Sequence, residues 1–159
     1  LIELGHRRLA YAEHSPDRES SCDRLAGCRA AVEGVSGAEL VVLSCSLLAQ
    51  PEELLAAARR AGATALICEG NGASEAVLQT ARTVGLRVPE DLSLLCLSDC
   101  DRLLEPSRRL SQLHLNREAV AEAAVRMLVN RLGGGVTGPQ QVLVPCEFIA
   151  GDTTGPAPV

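Results

Sequence analysis

The sequence predicts an α/β fold in which a parallel sheet carries helices on both faces. Two observations support this prediction. Continuously apolar segments such as ALIC (residues 65–68) and LSLLCL (residues 92–97) are typical of strands buried on both faces of a parallel sheet. Helical patterns with one apolar face lie between such segments, as expected for right-handed β-α-β crossovers.

Each predicted strand is an apolar run bounded by polar residues or glycine. These strands cover residues 9–13, 39–44, 64–69, 92–97 and 142–149. Pro145 interrupts the last run and indicates an edge strand or a crossing between sheets, because proline cannot donate a ladder hydrogen bond. The residues from Gly155 onward are expected to form a loose tail.

Apolar residues at helical spacing predict helices over residues 22–33, 51–61, 74–84 and 117–132. Ser20 or Ser21 can cap the first helix, since a hydroxyl oxygen can accept a hydrogen bond from a free backbone amide. Pro51 lies in the first turn of the second helix, where proline is favoured. The apolar stripe of the last helix consists of Val120, Ala124, Met127 and Leu128.

Composition excludes some classes of function. The chain has 159 residues, a net charge of −5, and 15 basic residues, which are all arginine and form no long basic run. Tyr11 and Phe148 are its two aromatic residues. We therefore expect that this chain by itself does not bind nucleic acid, because it lacks both a phosphate-binding track and a stacking surface.

The seven cysteines are odd in number, form no C-x-x-C pair, and in part lie inside apolar runs. This pattern predicts buried thiols in a reducing cytoplasm rather than a disulfide framework or a zinc site, and no cofactor motif is found. The opening residues carry no signal-peptide pattern, and no apolar run approaches the roughly 18 residues that would span a membrane. We expect a cytoplasmic protein.

Three segments resemble the effector-binding domain of the LacI/GalR (lactose-repressor/galactose-repressor) family of bacterial transcription regulators. They are LIELGHRRLAY, DRLAGCRAAV and GLRVPEDLSLLCLSD, and the likeness runs in order over residues 1–154. The resemblance implies the type I fold of periplasmic sugar-binding proteins. It implies a partial domain in which residues 1–114 form the C-terminal lobe and about 115–143 cross to the N-terminal lobe, followed by a tail at 155–159.

The same resemblance implies partners. Members of the family carry an N-terminal helix-turn-helix domain, which is absent from this chain, so operator DNA would be contacted only through that domain. We expect the protein to form a homodimer and not to associate with a membrane. The apolar stripe of the last predicted helix would lack its natural neighbours in this partial domain.

In parallel sheets ligands bind at the carboxyl ends of the strands, which here means the segments after Glu13, Glu69 and Leu97. The resemblance aligns Arg24 with an arginine that binds effector hydroxyls. It aligns Arg18 and Ser20 with loop positions that contact effector in some relatives. Arg24 also lies in the predicted first helical turn, where a cation is disfavoured, which suggests a ligand. The alternative is a salt bridge to a nearby acid, with these candidates: Asp17, Asp23 and Glu69.

Other family positions are altered in this sequence. Gly70 and Asn71 stand where the family has an Asn-Asp pair, which leaves Asn71 with the simpler role of a helix cap. Ser98 replaces the first of two acids that accept effector hydroxyls, and Asp99 retains the second. His114 is expected to be structural.

These losses argue against a simple hexose. The expected effector is sugar-like or anionic, unless small-molecule sensing has been lost. Two alternatives share the fold class: a solute-binding protein, which the unpaired cysteines oppose, and a small α/β enzyme. The enzyme is disfavoured because Cys100 lies between Asp99 and Asp101, where negative charge disfavours a thiolate, and no histidine is suitably spaced from it.

Overall fold

The computed structural model describes residues 1–99, 109–135 and 138–158, in which one mixed sheet is flanked by helices. The strands are β1 (Arg8–Ala12), β2 (Glu39–Leu43), β3 (Ala65–Cys68), β4 (Ser93–Cys96), β5 (Ser111–His114) and β6 (Glu147–Ile149). The helices are α1 (Glu19–Val32), α2 (Pro51–Arg60), α3 (Asn71–Thr83) and α4 (Arg117–Leu132), and a short 3-10 helix covers Cys45–Ala49.

The strand order is β2-β1-β3-β4-β5-β6. Strands β1 to β5 are parallel, and β6 pairs antiparallel with β5 at the edge of the sheet. Ala12 pairs with Cys68, Cys68 with Cys96, and Cys96 with Gln112, so the parallel strands end close to one line. The predicted parallel α/β fold is confirmed.

Helices cover both faces of the sheet. On one face, α2 and α3 pack their apolar sides against Leu66 and Leu94, both of which are fully buried. On the other face, Leu25 of α1 packs with Tyr11 and Ile67. Because small residues such as Ala10 and Cys68 line the α2–α3 face, those two helices can approach the sheet closely.

Two helices begin earlier than the sequence predicts. Helix α1 begins at Glu19 rather than residue 22, with Arg18 as its N-cap and no side-chain cap. The predicted cap by Ser20 or Ser21 is therefore wrong. Helix α3 begins at Asn71, so Gly70 rather than Asn71 is the N-cap, and its extended backbone (φ −127°, ψ 150°) starts the helix without a side-chain bond.

Two strand predictions are also corrected. Strand β5 was not predicted, because SQLH is short and only partly apolar. The predicted strand over 142–149 is reduced to Glu147–Ile149, since β5 offers it just three paired residues, Gln112, Leu113 and His114.

The expected loose tail is instead packed against the sheet as far as the structure describes it. The Gly155 amide donates to Ser93 Oγ at 3.0 Å, and the Ala157 amide donates to the Leu4 carbonyl at 2.9 Å. His6, which is fully buried, bonds to the Gly155 carbonyl through Nε2 at 3.0 Å. Ser93 is more than 60 positions away from Gly155 in the sequence. The local sequence of the tail therefore does not reveal these bonds.

Helix α4 has the bounds that the sequence predicts, yet none of its residues is buried. Val120, Val125 and Leu128 are 51%, 60% and 57% exposed. The predicted apolar stripe is therefore uncovered in this chain. No helix among the described residues is long and apolar enough to cross a membrane.

Thr153 holds the C-terminal segment in place. Its hydroxyl donates to the Leu94 carbonyl at 2.8 Å and accepts from the Ser111 amide at 2.9 Å, and the residue is fully buried. We predict that Thr153→Val lowers the free energy of unfolding by about 1–3 kcal/mol, because it leaves buried backbone groups unpaired. Urea denaturation measures the change.

The control is Thr83→Val, which removes an exposed hydroxyl at the end of α3. It should change stability by less than about 0.5 kcal/mol. Equal effects of the two substitutions would contradict the assigned role of Thr153.

Candidate functional site

The candidate site lies where the strand order reverses. Strand β1 lies between β2 and β3, so the crossover from β1 to β2 and the crossover from β2 to β3 run in opposite directions. In α/β sheets a ligand crevice is expected at such a point, here at the carboxyl ends of β1 and β3. His14 follows β1, and Glu69 follows β3 directly. The N-terminal turns of α1 pack beside them.

The Glu69 carboxylate is the centre of this crevice. Its side chain is 3% exposed, and both of its oxygens have partners. Oε2 accepts a hydrogen bond from Ser21 Oγ at 2.6 Å and lies 3.5 Å from Arg24 Nη1, while Oε1 accepts from the His14 amide at 3.2 Å. This carboxylate therefore joins the loop after β1, helix α1 and the end of β3.

Glu69 remains ionised at neutral pH. Burial raises the pKa of its carboxyl, but the hydrogen bonds from Ser21 and His14, the neighbouring Tyr11 hydroxyl and the charge of Arg24 outweigh burial and lower the pKa below its ordinary value. Arg24 keeps a third of its side chain exposed (35%), so it contacts Glu69 while part of its side chain is accessible to solvent.

Tyr11 lies beneath this ion pair. The residue is fully buried, and its hydroxyl makes no hydrogen bond of normal geometry with any described residue. Burial and the nearby Glu69 carboxylate both raise the pKa of the phenol, so the hydroxyl stays protonated. The Tyr11 hydroxyl is therefore a potential hydrogen-bond donor next to the Glu69 carboxylate, but the two groups form no hydrogen bond of normal geometry.

A second buried carboxylate, Asp99, follows β4. Its Oδ1 accepts from His114 Nδ1 at 2.8 Å and from the Leu115 amide at 3.0 Å, and its Oδ2 lies 3.2 Å from Arg117 Nη2. Asp99 thereby ties the end of β4 to the end of β5 and the start of α4. A cavity of about 410 Å³ adjoins these side chains and is also lined by Asn116 and Glu118.

The charge state of Asp99 follows from the same contacts. Burial raises the pKa of its carboxyl, but the Leu115 amide, His114 and the Arg117 charge outweigh burial and lower the pKa. His114 is half exposed and contacts Asp99, and its structural role stays a prediction.

The structure brings some of the predicted site residues together. Arg24 lies in the crevice, and Gly70 and Asn71 begin α3 at the same edge of the sheet. Asp99 lies in the second cluster, and Ser98 is half-buried before it. Arg18 and Ser20 are exposed at the start of α1.

Two arguments made from the sequence need correction. Because α1 begins at Glu19, Arg24 lies in its second turn, and the argument from the helix dipole does not apply. Among the described residues, the candidate acid that pairs with Arg24 is Glu69. Asn71 does not cap α3 from the N-cap position; its Oδ1 accepts a bond from the next amide, that of Gly72, at 2.8 Å.

Glu69 is the important residue that sequence reasoning considered only as a salt-bridge partner. An acid at the end of an apolar strand was the available signal, because a carboxylate there lies at the ligand-binding edge. Cys100 and Asp101, considered for an enzyme, lie outside the described residues. Cys22, Cys28, Cys68, Cys96 and Cys146 form no disulfide bonds, and the described residues contain no group of three or more metal-ligating side chains.

Comparison with known proteins identifies the family. The sequence model of the periplasmic binding protein-like domain matches residues 1–154. The chain belongs to this family. It is 28% identical over 160 residues to the HTH-type transcriptional repressor PurR of Escherichia coli O1:K1, an alignment that covers 94% of this chain and 45% of PurR.

Solved structures agree with this assignment. A LacI family transcriptional regulator from Bifidobacterium animalis subsp. lactis superposes with a TM-score of 0.83 at 23% identity, covering 99% of this chain and 58% of that one. The transcriptional regulator CelR, in complex with cellobiose, superposes with a TM-score of 0.77 at 26% identity. The superposition covers 96% of this chain and 48% of the CelR chain. The resemblance to LacI-family effector-binding domains is thus confirmed, and the chain spans about half the length of the curated relatives it matches.

The contacts of Asp99 lead to a stability prediction. Asp99→Asn should lower the free energy of unfolding by about 1–3 kcal/mol at neutral pH, because it removes the charge that pairs with Arg117 and His114 in a buried position. Urea denaturation measures this change. Asp23→Asn, an exposed change on α1, is the control and should have less than about 0.5 kcal/mol effect. A loss no larger than the control's would contradict the role assigned to Asp99.

The lowered pKa of Asp99 also predicts a pH dependence. A carboxyl whose pKa is lower in the folded state stabilises the fold fully above its ordinary value of 3.8, and loses this contribution as pH falls through the folded value. The stability difference between the wild type and Asp99→Asn should therefore be fully present at about pH 5 and shrink as pH falls below 3.8. A difference that grows on acidification would contradict this.

Proposed function

We propose that this chain is the effector-binding and dimerisation portion of a LacI-type bacterial transcription regulator. It senses a small molecule at the carboxyl edge of the sheet and controls operator binding by an N-terminal helix-turn-helix domain that is not in this chain. The observation that carries the proposal is the paired arrangement of Arg24 and Glu69 at the point where the strand order reverses. The relatives are regulators, which supports this function over a transport protein or an enzyme.

The site has the groups that a polar effector needs. Arg24 offers guanidinium donors at the crevice, and the space beside Gly70 is open, since a Cβ built there meets nothing within 4 Å. A polyhydroxylated molecule binds to such groups through hydrogen bonds. The CelR structure contains cellobiose, which supports a sugar-like effector for this chain as well.

The division of the domain into lobes is part of the proposal. Residues 1–114 form the C-terminal lobe, and about 115–143 cross to the N-terminal lobe of the whole protein. The exposed apolar side chains of α4 support this division, because a helix with that pattern is normally covered. A cytoplasmic homodimer is proposed for the whole regulator, and light scattering that shows a monomer at high concentration would exclude the dimer.

Arg24 gives the proposal its sharpest test. In the full-length protein, a thermal-shift screen of neutral sugars should find a stabilising ligand, and Arg24→Ala should weaken it by about tenfold or more, since a hydrogen bond to a charged group contributes about 1.5–3 kcal/mol. Titration calorimetry measures the affinities.

Arg29→Ala is the matched control, because Arg29 lies on the same helix, in its last turn, and is exposed. It should leave the affinity unchanged. A ligand whose affinity survives Arg24→Ala would remove Arg24 from the site, and the absence of any bound small molecule would favour a regulator that has lost sensing.

A further inference from the structure

We propose that Glu69 determines the charge specificity of the effector site, so that the site accepts neutral, hydroxyl-bearing ligands and rejects anionic ones. The inference rests on the proposed effector-binding function and names the class of ligand. Glu69 acts through Arg24, whose charge it offsets at 3.5 Å, and is therefore a positioning residue.

The first step is that the carboxylate is fixed. Ser21 Oγ at 2.6 Å and the His14 amide at 3.2 Å hold its two oxygens, and its side chain is 3% exposed. Two separate segments of the chain, the loop after β1 and helix α1, supply these partners, so the carboxylate cannot turn away from Arg24 without breaking bonds in a buried place.

The second step is electrostatic. A free arginine at this crevice would attract phosphate or carboxylate groups, because its planar donors match them in pairs. Here a buried negative charge already faces the guanidinium, and a second anion would have to approach that charge at short range. Like charges at such distances repel strongly where water is scarce. The outward donors of Arg24 remain available to hydroxyl oxygens.

The third step concerns the surroundings. Arg117, the charged group of the second cluster, is itself paired with Asp99 at 3.2 Å. Each of these two arginines therefore pairs with a buried carboxylate, which offsets its positive charge. Tyr11, with its hydroxyl protonated next to Glu69, adds no further charge.

The test uses inorganic phosphate as the anionic probe, in titration calorimetry on the full-length protein at low ionic strength. The wild type should bind phosphate weakly or not at all. Glu69→Gln, which keeps the size and the acceptor for Ser21 but removes the charge, should bind phosphate at least about tenfold more tightly. Combining it with Arg24→Gln should abolish the gain.

Two control variants separate charge from folding. Glu53→Gln removes an exposed carboxylate that pairs with Arg60 on α2 and should not alter phosphate binding. Glu69→Asp keeps the charge while disturbing the same packing, and should show no gain. Circular dichroism verifies that each variant is folded.

Three results would overturn the inference. They are phosphate binding by the wild type through Arg24, equal phosphate affinity in the wild type and Glu69→Gln, and a gain that survives Arg24→Gln. If Glu69→Gln does not fold, the wild type still decides, since Arg24-dependent phosphate binding refutes the inference and its absence supports it. If the effector proves to be anionic, the inference about Glu69 is refuted, but the proposed function is not. If the screen of neutral sugars finds no ligand, the proposed function is refuted, but the phosphate result remains valid.

Discussion

In a parallel sheet every strand ends at the same edge, and the register of this chain follows that constraint across β1, β3, β4 and β5. Ala12, Cys68, Cys96 and Gln112 lie side by side in consecutive strands. The segments that leave these strands must satisfy their backbone groups without a strand ladder, so polar side chains collect there. The candidate site is a consequence of this arrangement.

Two buried carboxylates connect the segments at this edge of the sheet. Glu69 joins the loop after β1 to α1 and β3, and Asp99 joins β4 to β5 and α4. Each faces an arginine, and each is held ionised by its hydrogen bonds despite burial. The same contacts that stabilise the edge of the sheet therefore also set the charge at that edge.

Predictions from the sequence were most accurate where a pattern is local. The apolar strands and the bounds of α4 were predicted well, because hydrophobic periodicity alone specifies them. Errors arose where a distant residue competes with a local rule. Ser21 has the features of a helix cap, but its hydroxyl donates to Glu69, 48 positions away. The segment from Gly155 looks loose, but Ser93 and His6 bind its backbone.

By itself, the sequence determined the parallel α/β fold, which follows from periodicity and segment order, and the family resemblance, which rests on three matching motifs. Tertiary structure alone decided which acid faces Arg24. Asp17, Asp23 and Glu69 were equal candidates by sequence, but the pairing of β1 with β3 places Glu69 beside the second turn of α1. Long-range strand pairing brings that carboxylate to the arginine, and no local pattern encodes the distance between them.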